Sequence, residues 1–375
     1  MQISVTSTFE TAKLNPLTMY AEMQQRLPIL QQSPEKWLQR MMRWHFDEST
    51  GSPYWLRKKQ SLDFDPICDI QTLEDVKRFG LFDKTDLQKL PVQDFVPRGF
   101  SDRTQRVFET GGTTGTPCRI VDITTGNYNV TIYETMLAAH GLTNGNALAI
   151  TPSGPHMYST FVRRLMDRWG GLVYYIDFDP RWVKSLIRRE QSTESYVQHL
   201  VAQSLEILET QQATFLFTTS KLLVALISSL EKPLFEYGIR AVCTGGTSMS
   251  PEESRYIREN HLRDIHWFDT YGNTLMGHAL QAEPWQGLSD KSYYLPPPLG
   301  FIKIVDPNDW TCEVERGQRG RVLLITLQED LFLPNLLERD SAIRVGPHPW
   351  YPWDGVTAVC PYVDSEEFTA TEGVY

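Results

Sequence analysis

Residues 109–120, ETGGTTGTPCRI, set Gly111, Gly112 and Gly115 among Thr110, Thr113, Thr114 and Thr116. Glycine this dense costs backbone entropy, and a purely structural hairpin needs only one or two. Small side chains let backbone N–H groups converge on anionic oxygens, and threonine hydroxyls add donors. The stretch reads either as a phosphate loop or as a long Gly/Thr turn on the surface. Two more loops carry candidate groups: CTGGTSMSPEE (243–253), with Gly245, Gly246 and Thr247, and DTYGNTLMGHA (269–279), with Tyr271, Gly272 and Thr274. Each alone is common turn material. Position 118 is Cys, not the Lys of a P-loop, and no G-x-G-x-x-G dinucleotide fingerprint occurs.

The elements that would position these loops alternate. Apolar runs RIVDIT, ALAIT, LVYYID, TFLFTT, IRAVCT and IHWFDT alternate with helical stretches YNVTIYETMLAAHG, STFVRRLMDRWG, SYVQHLVAQSLEILE, SKLLVALISSL and SPEESRYIREN. This predicts an α/β sheet with parallel pairs, whose ligands bind outside the carboxyl ends of the strands. The loops at 243–253 and 269–279 fall at such ends. Ser250, Pro251 and Glu253 form a capping-box helix start.

Three regions are expected: a helical one over 1–100, an α/β core over 101–290, and a β-rich subdomain with its terminal strap over 291–375. In the first, Trp37, Met41 and Trp44 recur on one helix face, as core residues do. KLPVQDFVPRGFSDRT (89–104) reads as a linker.

The formal net charge of −10 over 375 residues leaves no Lys/Arg surplus for a nucleic-acid partner. The basic runs RWHF and LIRRE read as solvated helix faces. Five scattered cysteines without a C-x-x-C exclude a disulfide framework and a structural zinc, and predict reduced, buried thiols in a cytoplasmic protein. No secretory signal is visible. The most apolar stretch, ATFLFTTSKLLVALISSL, is broken by Lys221 and reads as strand, turn and core helix, so no membrane partner is expected.

Taken in order, TGGTTGTP, TGGTSMSPEE, DTYGNT and GRVLLITL…LFLPNLLERDSAIR resemble the adenylate-forming superfamily, and within it phenylacetate–CoA ligase-like proteins, over roughly residues 85–346. The resemblance implies the large N-terminal domain of that fold and a reaction joining a carboxylic acid to AMP from ATP. It implies that Thr110, Gly111, Gly112, Thr113, Thr114 and Gly115 wrap the β- and γ-phosphates. Gly245, Gly246 and Thr247 would line the adenine and the acyl pocket, Tyr271 beside Gly272 would stack on adenine, and Thr274 would contact the α-phosphate. Asp340 would hold the ribose, with Ser341 competing for that place and Arg344 following at one residue's longer spacing. His156 lies where the family often sets a residue over the acyl pocket; a turn histidine making ordinary hydrogen bonds is the other reading.

Three departures stand out. Cys118 replaces the lysine that ends the phosphate loop. Leu275 replaces the glutamate that binds Mg2+, leaving that ion to another carboxylate, such as Glu283, or to ATP alone. The sequence runs only about thirty residues past Arg344, so no C-terminal lid domain with its catalytic lysine is expected. Losing one such preorganised charge typically costs ~10²–10³ in rate. The resemblance points to ATP-dependent activation of an aromatic, phenazine-type acid in antibiotic biosynthesis, with a reductase or a C-terminal-domain partner acting in trans. The competing reading is a protein that binds nucleotide and aromatic acid without turnover. Trp267, Phe268 and Tyr158 would line a flat aromatic pocket or pack in the core. PHPWYPWDG (347–355) would be a partner-binding lip or a strap packed on the body.

Overall fold

The computed structural model describes residues 16–112, 115–247, 249–282 and 291–362. Thr113, Thr114 and Glu283 therefore lie outside the described residues. The glycine-rich loop joins the strands of an antiparallel ribbon, β1 (Arg106–Glu109) and β2 (Arg119–Asp122), which is separate from the main sheet. Among the described residues the main sheet has eleven strands. Its parallel part comprises β3 (Ala147–Pro152), β4 (Val173–Phe178), β5 (Phe215–Thr218), β6 (Ala241–Gly245) and β7 (His266–Asn273), in spatial order β4-β3-β5-β6-β7. An antiparallel part continues it through β8 (Gly277–Ala282), β9 (Ser292–Tyr294), β10 (Gly300–Val305), β11 (Arg319–Leu327), β12 (Phe332–Val345) and β13 (Gly355–Pro361), in order β8-β9-β13-β12-β11-β10.

The parallel strands β3, β5 and β6 are buried on both faces, which is why they read as nearly unbroken apolar runs. Successive residues turn to opposite faces. Phe215 and Phe217 join one hydrophobic cluster, while Leu216 and Val242 join the other. The capping box at Ser250 and Glu253 is present at the start of helix Pro251–Asn260. A further helix, Pro180–Arg188, follows β4 and is capped by Asp179, whose Oδ1 accepts from Arg181 N and Trp182 N.

The N-terminal helices grip the turn between β11 and β12. Ser33 and a proline start the helix Pro34–Phe46, whose Trp37 is 0% exposed. Trp37 Nε1 donates to Leu327 O at 2.7 Å and Trp44 Nε1 to Glu329 O at 2.6 Å, while Trp55 Nε1 donates to Phe332 O at 3.1 Å. His45 Nε2 lies 2.8 Å from Gln328 O. Indoles suit this place, because each buries a large apolar area yet satisfies a carbonyl left over at the turn. Asp330, in the same turn, reaches the other way. Its carboxylate accepts from the backbone N–H groups of Ile123, Thr124 and Thr125 and from the Thr125 hydroxyl, and so caps the helix Thr125–Ala139.

Several expectations need correcting. RWHF is not a solvated face: only Arg43 is exposed, while Trp44 is half-buried and His45 and Phe46 are buried. The expected linker holds two 3-10 turns with Phe95 and Phe100 buried, and Phe100 packs edge-on to Trp44. All five cysteines are free, but Cys68, Cys312 and Cys360 are exposed. The segment 347–355 packs as a strap: Tyr351 is buried against Tyr294, and Trp353 meets Tyr20 at 4.8 Å. Among the described residues, no helix is long and apolar enough to cross a membrane.

Two outcomes follow. Asp330→Ala strands several buried N–H groups and lowers stability by about 2–4 kcal/mol in urea unfolding; a loss below about 0.5 kcal/mol would refute the capping role. Burial holds the His45 pKa down at about 4 against 6.5 when unfolded, with the Gln328 carbonyl and Asp330 acting in the opposite sense. The unfolded chain thus binds the extra proton between these values, so stability falls as pH drops through that window, by up to about 3 kcal/mol. Urea midpoints at pH 7 and 4.5 should differ less in His45→Gln than in the wild type.

Candidate functional site

Side chains give the ribbon its address. Glu109 N donates to Pro155 O at 2.9 Å, which sets His156 at the root of the loop. Cys118 N donates to Thr110 Oγ1, and Thr110 N to Cys118 O, both at 3.0 Å, closing the loop's neck. Within it Gly112 (φ +59°) and Gly115 (φ +122°) adopt backbone that disfavours side chains. The Glu109 carboxylate pairs with Arg119 across the ribbon and with Arg181 of helix Pro180–Arg188. From the same helix Lys184 Nζ donates to Gly111 O at 2.7 Å and Arg188 Nη2 to Gly112 O at 3.3 Å. LIRRE is therefore not merely a solvated helix face.

The remaining candidates gather at the carboxyl ends of the parallel strands. Gly245 ends β6, where an added Cβ would lie 2.8 Å from Thr270 Oγ1, and Gly246 has φ +83°. Ser220 Oγ donates to Thr247 O at 3.2 Å. Tyr158 reaches over these ends, its hydroxyl lying 3.0 Å from Cys243 O and 3.3 Å from Thr218 O. Trp267 and Phe268 cannot both line a pocket with it: as neighbours on β7 they face opposite sides of the sheet, Phe268 in the cluster that Tyr158 packs against and Trp267 in the other.

Tyr271 and Asp340 meet. The Tyr271 hydroxyl donates to Asp340 Oδ2 at 2.8 Å, and an added Cβ at Gly272 would lie 2.5 Å from Gly277 O. Burial, with the charges of Asp340 and Glu338, pushes the Tyr271 pKa well up; burial also raises that of Asp340, helped by Glu338 and opposed first by the hydrogen bond from Tyr271, then by Arg339 and Lys84. Glu338 is held by Lys84 Nζ at 3.0 and 2.9 Å and approached by Asn273 Nδ2 at 3.4 Å. Cys118 Sγ points at Lys84 O, 3.8 Å away, so this cluster runs back to the end of the glycine-rich loop. Sequence reasoning missed Lys84, Lys184 and Glu338, which carry no local motif.

Arg344 is not brought to this group. Its guanidinium is bound by Asp354 at 2.8 Å, by Val314 O at 2.8 Å and by Glu313 at 3.3 Å. Ser341 is likewise engaged elsewhere, accepting from Arg319 Nη1 at 3.0 Å. Thr274 sits in the turn between β7 and β8, half-buried, and lines a cleft with Asp122, Asn129, Met157, Gln328 and Asp330. The cleft volume of about 10 Å³ admits about one water. His156 is buried, and its pKa is lowered by burial and by Lys184, against the pull of Asp179.

The position that the resemblance gives to a Mg2+ glutamate is a core leucine. Leu275 is 1% exposed and its backbone N–H is taken by Asn273 Oδ1 at 2.9 Å, so its side chain belongs to the core. Among the described residues no cluster of three His, Cys, Asp or Glu could hold a metal.

No protein-family model matches the chain, and no curated protein matches it in sequence. Solved structures match in fold. 2-Hydroxyisobutyryl-CoA ligase, in an open conformation in complex with 2-HIB-AMP and CoA, gives a TM-score of 0.66 at 15% identity, over 91% of this chain and 76% of that one. The same ligase in the postadenylation state with 2-HIB-AMP gives 0.63 at 15% identity, over 86% of this chain and 65% of that one. Its thioesterification state gives 0.63 at 15% identity, over 91% and 69%. At this identity the likeness shows the fold alone: a mixed α/β chain that follows the fold of 2-hydroxyisobutyryl-CoA ligase over most of its length.

Restoring a glutamate by Leu275→Glu should not build a metal site. It buries an unpaired carboxyl and lowers stability by about 2–5 kcal/mol. Differential scanning calorimetry with and without Mg2+ checks this: a metal-dependent rise in Tm for the variant alone would contradict it.

Proposed function

We propose that this protein activates an aromatic carboxylic acid of multi-ring, phenazine type as its acyl-adenylate, using ATP, in the cytoplasm and for antibiotic biosynthesis. The observation that carries the reading is the Tyr271–Asp340 hydrogen bond of 2.8 Å, which sets an aromatic face and a carboxylate side by side. Adenine stacks on the ring and the ribose hydroxyls donate to Asp340. Loop amides of Gly111 and Gly112 hold the phosphates, Gly115, whose N–H donates to Gly112 O at 3.1 Å, lets the backbone come close, Thr110 closes the neck and Thr113 and Thr114 add hydroxyls. The Gly245–Gly246–Thr247 turn borders the base and the acyl group. A carboxylate oxygen of the acid attacks the α-phosphorus beside Thr274, and pyrophosphate leaves. Positioning and fixed dipoles supply the rate. The fold shared with 2-hydroxyisobutyryl-CoA ligase supports this. A reductase, or a lysine-bearing domain supplied in trans, completes the sequence.

One observation favours a second reading, binding without turnover: the Mg2+ position of the resemblance is the core residue Leu275.

Labelled pyrophosphate should exchange into ATP in a manner dependent on the acid, fastest with a multi-ring aromatic acid and negligible with acetate. ATP should bind more tightly than GTP by calorimetry, with Tyr271→Ala weakening ATP about tenfold and Tyr271→Phe much less. ATP binding without exchange for any acid would select the second reading, and equal affinity for GTP would remove the adenine site.

A further inference from the structure

Glu338 and Asp340 stand outside the regular ladder. β12 pairs Leu337 with Leu323 and Ser341 with Arg321, so the residues between set three of β12 against one of β11. A bulge of this kind bends the strand and re-aims its side chains. Here both carboxylates turn to β7: Asp340 Oδ2 accepts from the Tyr271 hydroxyl at 2.8 Å, and Glu338 Oε1 lies 3.4 Å from Asn273 Nδ2. Carbonyls of the bulge are taken up nearby, Glu338 O by Arg321 Nε at 2.9 Å and Arg339 O by Tyr362 N at 2.6 Å.

Two carboxylates aimed at one place repel, and the charges around Asp340 show how this is met. On its own strand it has Glu338, which is 6% exposed, and Arg339, which is exposed. β7 supplies Tyr271, and β9 sets Tyr293 behind that ring at 6.1 Å, its hydroxyl held by Asp269 at 2.8 Å. β13 places Pro361 opposite Asp340. The segment before helix Asp86–Lys89 supplies Lys84, bound to both oxygens of Glu338 at 3.0 and 2.9 Å. That segment is tied to β12 ahead of the bulge, because Phe82 N donates to Asn335 O at 3.2 Å and Asn335 Nδ2 donates to Val76 O and Gly80 O. Burial and then Glu338 work against ionisation of Asp340, while the Tyr271 hydrogen bond, Arg339 and Lys84 work for it. A pair this far from water is screened little by salt.

We propose that Lys84 is a positioning residue: by balancing the Glu338 charge beside the bulge, it keeps Asp340 ionised and able to accept the ribose hydroxyls of the nucleotide. The ribose as ligand rests on the function proposed above; the link among the three side chains does not. A hydroxyl donates more strongly to a carboxylate than to a carboxylic acid, so ionisation of Asp340 sets how well the sugar is held.

NMR of the full chain, labelled with carbon-13 at the aspartate side-chain carboxyls, follows Asp340 with no ligand present, its signal identified by its loss in Asp340→Asn. Lys84→Met removes the counter-charge and should raise the Asp340 titration midpoint by about one pH unit. Glu338→Gln leaves Lys84 facing Asp340 and should lower it. The double variant should return close to the wild type, and Lys84→Arg should leave the midpoint in place. Below that midpoint Asp340 is protonated, so ATP affinity falls as pH drops. By calorimetry this acid limb should shift upward in Lys84→Met and downward in Glu338→Gln. 2′,3′-Dideoxy-ATP, with no ribose hydroxyls to donate, should show one pH dependence in every variant. A midpoint that stays put, or that moves the same way in both single variants, would overturn the proposal, as would equal limb shifts for ATP and its dideoxy form. Opposite midpoint shifts without any ATP binding would uphold Lys84 and overturn the adenylate reading. Should Lys84→Met fail to fold, an unlowered midpoint in Glu338→Gln still overturns the proposal.

Discussion

The Asp330 carboxylate is the point on which this architecture turns. It sits in the turn between β11 and β12 and accepts the backbone N–H groups of Ile123, Thr124 and Thr125, which follow directly on β2. A carboxylate at a helix N-terminus satisfies orphan donors and complements the helix dipole. Here it also fixes one end of a ribbon that, among the described residues, has no strand partner in the main sheet. The same turn has its carbonyls taken by Trp37, Trp44 and His45. The N-terminal helices, the antiparallel part of the sheet and the ribbon are thus referred to one short turn.

From there the site is a matter of charge placement. The ribbon's far end is held by Arg181, Lys184 and Arg188 from one helix, each on a group of the ribbon or its loop. On the opposite side Lys84 and Glu338 connect Cys118 to the Tyr271–Asp340 pair. Positive charge therefore lies beside the loop, and acidic and aromatic groups lie beside the strands. That asymmetry suits a ligand with an anionic end and a hydroxyl-bearing, planar end.

Much of the fold was legible in the amino-acid order. The inner parallel strands β3, β5 and β6 are doubly buried, so their apolar runs are unbroken, and the capping box at Ser250 announces its helix through local geometry alone. The glycine positions needing positive φ, such as Gly112 and Gly246, also sit in the loops that their density marked. What was hidden is non-local. Nothing in LIRRE says that Arg188 meets the Gly112 carbonyl, because that contact spans two elements far apart in the chain. Arg344 looked like a site residue by its spacing from Asp340, yet four residues along a strand carry it about 13 Å away, to Asp354. His45 and Phe46 sit next to a charged residue and read as surface, but the structure buries both, and His45 meets the β11–β12 turn at Gln328 O.

The central claim is that a nucleotide lies between the glycine-rich loop and the Tyr271–Asp340 pair. A crystal structure with a non-hydrolysable ATP analogue tests it most directly. The account predicts adenine against the Tyr271 ring, the ribose hydroxyls at Asp340 and the triphosphate over Gly111, Gly112 and Gly115. An analogue bound away from Tyr271, or with its phosphates directed away from the loop, would contradict it.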